Sequence, residues 1–271
     1  MVRSPFYCVS PSPWPFIVSL CLLNMAIGLV TWIYRIVEGK FFVLGGIVVL
    51  GGCLYLWWRD LLREGDQGYH TKVIVKNFRD GIGIFIVSEA MFFFSFFWAF
   101  FHRSLSPNVE VGGSWPPLGI RTPNPLSVPL LNTWLLLRRG AALNYAHLAI
   151  KNRDYDYGVV EGILLRIVCG VAFILLQYRE YFFNSFTAAD GIYGSRFYIL
   201  TGFHGIHVFA GTAFLIVTFV RLWYGHFLAP RHFGFEACSW YWHFVDVIWI
   251  VVYIFVYIWG GGQLCTWWAF N

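Results

Sequence analysis

Charge is what this sequence has least of. Only 12% of its 271 residues are Asp, Glu, Lys or Arg, while 58% are hydrophobic; soluble domains carry about 25% charged residues. That excludes a separate water-soluble core. The net charge of +5 does not imply nucleic-acid binding, because the basic residues lie between apolar segments and nowhere form a patch interleaved with aromatics. Cysteine is sparse too. Cys8, Cys21, Cys53, Cys169, Cys238 and Cys265 show no CxxC spacing, so neither a disulfide framework nor a zinc site is indicated. Several fall in apolar runs, where a free thiol behaves as a small hydrophobe. No internal repeat is visible. The opening MVRSPFYCVSPSPWPF lacks the charged, apolar, small-residue order of a cleavable signal and is not an Arg-rich presequence. The expectation is that an organellar form of this chain is made inside the organelle.

What the sequence does have is apolar runs. Segments near residues 14–34, 41–58, 81–101, 127–150, 158–178, 197–224 and 236–259 each approach the ~20 residues a membrane helix needs. Pro and Gly clusters around 10–15 and 112–125 mark loops. The expected fold is an all-α integral membrane protein of one domain and seven spans, with its termini on opposite sides. Outside the spans, Arg3, Arg59, Arg63, Lys72, Lys76, Arg79, Lys151, Arg153 and Arg231 fall on the N-terminal side, together with Arg221 close to a span end. Arg35, Lys40, Arg103, Arg121, Arg179 and Arg196 fall on the other. This bias places the N-terminus in the cytoplasm or matrix.

The few ionisable groups at membrane depth are the functional candidates. Glu89 is alone in GIGIFIVSEAMFFFSFFWAFF. A charged group there costs about 2.5–3.5 kcal/mol on insertion scales, offset by a partner, a water-filled cavity or protonation. Nothing in its own helix neutralises it, which favours a functional role. His204 and His207 share a helix face in GFHGIHVFAG beside Gly202, Gly205 and Gly211. The glycines suggest close packing, and one pair of histidines at this spacing points to hydrogen-bonded packing more than to a haem or copper site. His243 and Asp246, three residues apart in WYWHFVDVIW, can pair one turn apart. That pair fits packing or part of a proton route. Arg138 and Arg139 lie near the middle of the fourth segment and Arg166 in the fifth. Adjacent residues face about 100° apart on a helix, so one partner cannot serve both arginines. Glu161 or Glu89 is a candidate for one, and a lipid phosphate for the other.

Read in order, PSPWPF (11–16), WWRDLLRE (57–64), SEAMFFFSFFWAFFH (88–102), GGSWPPLGI (112–120), VPLLNT (128–133), DGIYGSRF (190–197), TGFHGIHV (201–208) and HFGFEACSWYWHFVDVIW (232–249) resemble the subunit III family of the haem-copper oxidases that use cytochrome c, almost end to end. The resemblance implies seven helices, the first two splayed from the other five by a cleft filled with phospholipid. It implies a chain without haem or copper. Its main partner is subunit I, which holds haem a and copper, with subunit II and accessory subunits beside it. The complex reduces dioxygen with electrons from cytochrome c and pumps protons, and the implied location is the mitochondrial inner membrane with the N-terminus in the matrix. Glu89 matches the family's intramembrane acid that reacts with carbodiimide, a reaction requiring a protonated carboxyl in an apolar setting. The implied role is support of proton uptake by subunit I and protection of its active site. Arg63, Arg79 and Arg221, with Trp58 and Trp98, match the groups that hold lipid. Arg138 and Arg139 stand where the family has small residues, and Arg166 is also unusual. These three are expected to contact an anionic lipid or an extra lineage-specific subunit. Two other classes fit parts of the pattern. A proton-coupled transporter would use Glu89, His243 and Asp246 as a relay, but paired repeats with broken helices are not visible. The corresponding subunit of a quinol oxidase commonly has five helices.

Overall fold

The computed structural model describes residues 11–107, 109, 112–137, 140–152, 157–227 and 231–262. Every regular element among them is helical. The chain divides into two compact units, Met1–Asp80 and Gly81–Asn271.

In the first unit, α1 (Trp14–Ile33) and α2 (Gly39–Asp66) form an antiparallel hairpin. Its turn includes Arg35 at φ +62°, a conformation that side chains rarely adopt. The hairpin closes tightly because glycine lines its seam. A Cβ on Gly28 would lie 2.7 Å from Phe42 Cβ, and one on Gly39 would lie within 3 Å of both Thr31 Oγ1 and the Gly28 carbonyl oxygen. Asn24 Nδ2 donates to the Phe42 carbonyl across the same seam at 3.2 Å. At the open end Trp14 Nε1 donates to Asp60 Oδ2 at 2.9 Å. Most other side chains of α1 and α2 are exposed and apolar. Gly28→Ala is expected to cost about 1–3 kcal/mol through overpacking, read as earlier loss of this chain when its purified assembly is heated. An unchanged profile would mean the seam yields freely.

The second unit holds most of α3 (Lys72–Leu105), then α4 (Val128–Leu137), α5 (Gly140–Asn152), α6 (Tyr157–Phe183), α7 (Gly191–Trp223) and α8 (Phe233–Val252). A π-helical stretch, Tyr253–Trp259, prolongs α8. Helix α6 packs against α4, α5 and α7, and α7 also packs on α8. The core is aromatic: Trp242, Trp249, Phe173, Phe197 and Phe235 are fully buried. The Trp242 indole fits between α6 and α7 because Gly170 and Gly211 leave room; a Cβ on either would sit within 3.0 Å of its ring. Of the three glycines expected to allow close packing, only Gly211 does so. Nothing lies within 4 Å of the Cβ position at Gly205, and only the Tyr181 hydroxyl, at 4.0 Å, at Gly202.

Among the described residues, six helices are long and apolar enough to cross a membrane: α1, α2, α3, α6, α7 and α8 with its π-helical continuation. The fourth expected span, 127–150, corresponds to the two shorter pieces α4 and α5. Arg138 and Arg139 between them lie outside the described residues. Helix α3 begins nine residues before the expected Gly81 and α7 six before the expected Phe197, because polar first turns such as Lys72–Asp80 escape a search for apolar runs.

Candidate functional site

Helix α3 places Glu89 against α7, where the side chain meets His207. His207 Nε2 and Glu89 Oε2 are 2.8 Å apart, with side-chain exposures of 12% and 24%. On its other nitrogen, Nδ1, His207 donates to the Phe203 carbonyl oxygen at 2.7 Å. The surroundings are aromatic. The Phe93 ring lies 4.9 Å from that of His207, and Phe92 and Tyr241 lie 6.4 Å away.

Hydrogen accounting fixes the state of this pair. A carbonyl only accepts, so Nδ1 carries a hydrogen. A neutral imidazole then has a bare Nε2, and an ionised carboxylate offers acceptors alone. A contact of 2.8 Å between two bare acceptors is not tolerated away from water. One further proton must lie between them, on Oε2 or on Nε2. As carboxylic acid with imidazole or carboxylate with imidazolium, the pair is neutral, which meets the electrostatic demand of membrane depth. The site can hold a proton and pass it between oxygen and nitrogen.

The partner comes from a helix 118 residues away, so spacing within α3 carried no sign of it. His204, the other expected packing histidine, is fully buried. Its Nε2 faces the Val245 carbonyl oxygen at 3.2 Å, between the rings of Phe173 and Trp249.

The expected pairing of His243 with Asp246 is replaced by two others. Asp246 Oδ2 accepts from Arg166 Nη2 at 2.7 Å, with side-chain exposures of 9% and 1%. His243 Nε2 instead meets Asn144 Oδ1 at 3.1 Å. The reason is charge: a buried carboxylate is compensated far better by a full guanidinium charge than by an imidazole on its own helix. Arg166 Nη1 donates to the Leu136 carbonyl oxygen at 2.6 Å, and its guanidinium lies 5.4 Å from the Trp242 ring. The expectation that Arg166 touches lipid or another subunit is therefore corrected: its side chain is sealed among α4, α6 and α8. Arg138 and Arg139 lie outside the described residues, and Glu161 is exposed.

Sequence reasoning missed a second buried polar chain. Asn132 Nδ2 donates to Gln177 Oε1 at 3.4 Å, Gln177 Nε2 to the Tyr257 hydroxyl at 3.2 Å, and that hydroxyl to Glu180 Oε1 at 2.8 Å. Glu180 is 7% exposed. It lies in QYREYFF, at the end of an apolar run, where hydropathy does not mark a residue as buried.

The expected lipid-binding residues are distributed as follows. Trp58 and Trp98 are exposed. Arg63, in the last turn of α2, lines a cavity of about 280 Å³ with Trp14, Trp57, Asp60 and Glu64. Arg221, in the last turn of α7, lies over the Phe227 ring at 4.5 Å. Arg79 lies eight residues into α3. Among the described residues no three His, Cys, Asp or Glu side chains converge as a metal site.

The model of the family "Cytochrome c oxidase subunit III" matches residues 4–261. The chain belongs to this family. Curated relatives named cytochrome c oxidase subunit 3 include those of Osphranter robustus, at 46% identity, Canis lupus, at 47%, and Equus caballus, at 46%. Each alignment covers 94% of this chain and 97% of the relative. Both members of the Glu89–His207 pair lie within the span matched to the subunit III family, as do Arg166 and Asp246.

Proposed function

We infer that this chain is a non-catalytic core subunit of cytochrome c oxidase, the respiratory oxidoreductase and proton translocase, seated in the mitochondrial inner membrane as a multi-pass protein. It carries no redox centre of its own; haem a and copper belong to its partners, and subunit I is its main contact. The observation that carries this reading is the subunit III family match over residues 4–261.

Its role is to support proton uptake by subunit I and to stabilise it during turnover. The Glu89–His207 pair suits that role, since it keeps a proton at membrane depth in a neutral unit. The fourth membrane segment, represented by α4 and α5, completes seven spans, with the N-terminus in the matrix as the excess of Lys and Arg on that side indicates. The first two helices stand apart from the other five around phospholipid, held by Arg63, Arg79 and Arg221 with Trp58 and Trp98 against acyl chains. Cations near the interface are the natural partners of phosphate. Arg138 and Arg139 are proposed to meet an anionic lipid or an accessory subunit. A transporter relay through His243 and Asp246 is disfavoured, because Asp246 is bound to Arg166.

Gentle purification of the chain from its native membrane tests the assignment. The expected result is a reduced-minus-oxidised spectrum with a haem a band and two larger oxidase subunits in the same preparation. A haem-free, solitary chain overturns it.

A further inference from the structure

We propose that Cys21 and Cys53 are a redox site: a thiol pair that forms a reversible disulfide across the α1–α2 hairpin. The helix seam puts them together. Trp14, Cys21 and Gly28 are seven residues apart on α1, and Gly39, Gly46, Cys53 and Asp60 are seven apart on α2. Seven residues are close to two helical turns, so each set lies along one stripe. The hydrogen bond from Trp14 to Asp60 sets the antiparallel register at one end. One step of seven along each helix then brings Cys21 opposite Cys53. Cys21 and Gly28 are the buried residues of α1, and Gly39, Gly46 and Cys53 those of α2, so both thiols lie in the seam itself, near enough to interact. Both cysteines are free, and they are buried at 9% and 8% exposure. The close backbone approach at Gly28 and Gly39, toward the turn, holds the two helices tightly together at that end, and a disulfide at the cysteines requires Cα atoms about 4.4–6.8 Å apart.

The oxidant we assign is an organic hydroperoxide, apolar enough to enter a seam between membrane helices. One cysteine sulfur takes the terminal oxygen of the hydroperoxide, whose O–O bond breaks to release an alcohol, and becomes a sulfenic acid. The second sulfur displaces water from it and forms the S–S bond. Two thiols lose two protons and two electrons in all, and the hydroperoxide is reduced to one alcohol and one water. A thiol or phosphine reverses the reaction. The bond would fix α1 to α2 at the middle of the seam. The competing reading is that both cysteines are inert small hydrophobes, as buried thiols in apolar surroundings commonly are.

The test treats the intact assembly in its native membrane with tert-butyl hydroperoxide. Free thiols are then alkylated in denaturant and the digest is analysed by mass spectrometry. The expected product joins the peptides of Cys21 and Cys53 with two hydrogens missing, in most of the chains, and a phosphine restores both thiols. Cys21→Ser and Cys53→Ser each abolish the product. Full alkylation of both cysteines after treatment, or their separate oxidation without a cross-link, overturns the proposal.

Discussion

Arg166→Leu should destabilise this chain by about 3–5 kcal/mol, and the double replacement Arg166→Leu with Asp246→Leu should recover most of that loss. Two features set the size of the effect. The guanidinium reaches two acceptors on different helices, the Asp246 carboxylate and the Leu136 carbonyl, and both ion-pair partners are buried. Removing the arginine alone strands a carboxylate in an apolar bundle, where an unpaired charge is costly. Removing both leaves apolar side chains of adequate volume, a change that is often neutral. Lysine is a poor substitute because a point charge cannot hold two acceptors in the fixed fork of a guanidinium. Since folded domains are stable by only about 5–15 kcal/mol, the single variant should reduce the amount of this chain retained per haem a in the purified oxidase. The double variant should restore it. A double variant as depleted as the sum of the singles would mean that the two side chains act independently, and the pair would lose its structural role.

The same pair shows where reading a sequence stops. Hydropathy located Arg166 in a membrane segment, but a hydropathy window does not distinguish a side chain facing lipid from one facing the bundle. Spacing rules connect residues three or four apart, so they offered His243 to Asp246. The real partner is 80 residues away on α6. Glu89 was legible because it is the one ionisable residue in a long apolar run. His207 was legible as a polar residue at membrane depth, yet nothing within either helix relates the two across 118 residues. The spans were legible wherever apolar residues ran without interruption. The fourth segment was the hardest because Arg138 and Arg139 break its hydropathy. The hairpin seam was overlooked for another reason: its heptad spacing is written in Gly, Cys, Trp and Asp rather than in large hydrophobes. In a membrane hairpin small residues set the contact, because large apolar side chains gain little by leaving lipid for a neighbouring helix.

Glu89→Gln should abolish carbodiimide labelling of the peptide that carries residue 89, while changing the stability of the assembly by no more than about 1 kcal/mol. The loss of label follows from chemistry: an amide offers no acidic hydroxyl for the reagent. The preserved stability follows from the hydrogen bonds of His207. Its Nδ1 hydrogen goes to the Phe203 carbonyl, so in the variant a neutral imidazole keeps Nε2 as an acceptor that a glutamine N–H can satisfy. Glu89→Leu offers no donor. It leaves Nε2 unsatisfied beside Phe93 and Tyr241 and should cost about 1–3 kcal/mol. Comparing the two variants separates the proton from the packing: both lose the label, and only the leucine variant loses stability. Glu180 and Asp246 are the rival carboxyls, since both are more deeply buried than Glu89. Asp246 is committed to Arg166 and Glu180 accepts from Tyr257, so neither has an imidazole with which to share a proton. Label that persists in Glu89→Gln on a peptide containing residue 180 or 246 would move the reactive proton there, and the neutral Glu89–His207 pair would lose its claim to hold it.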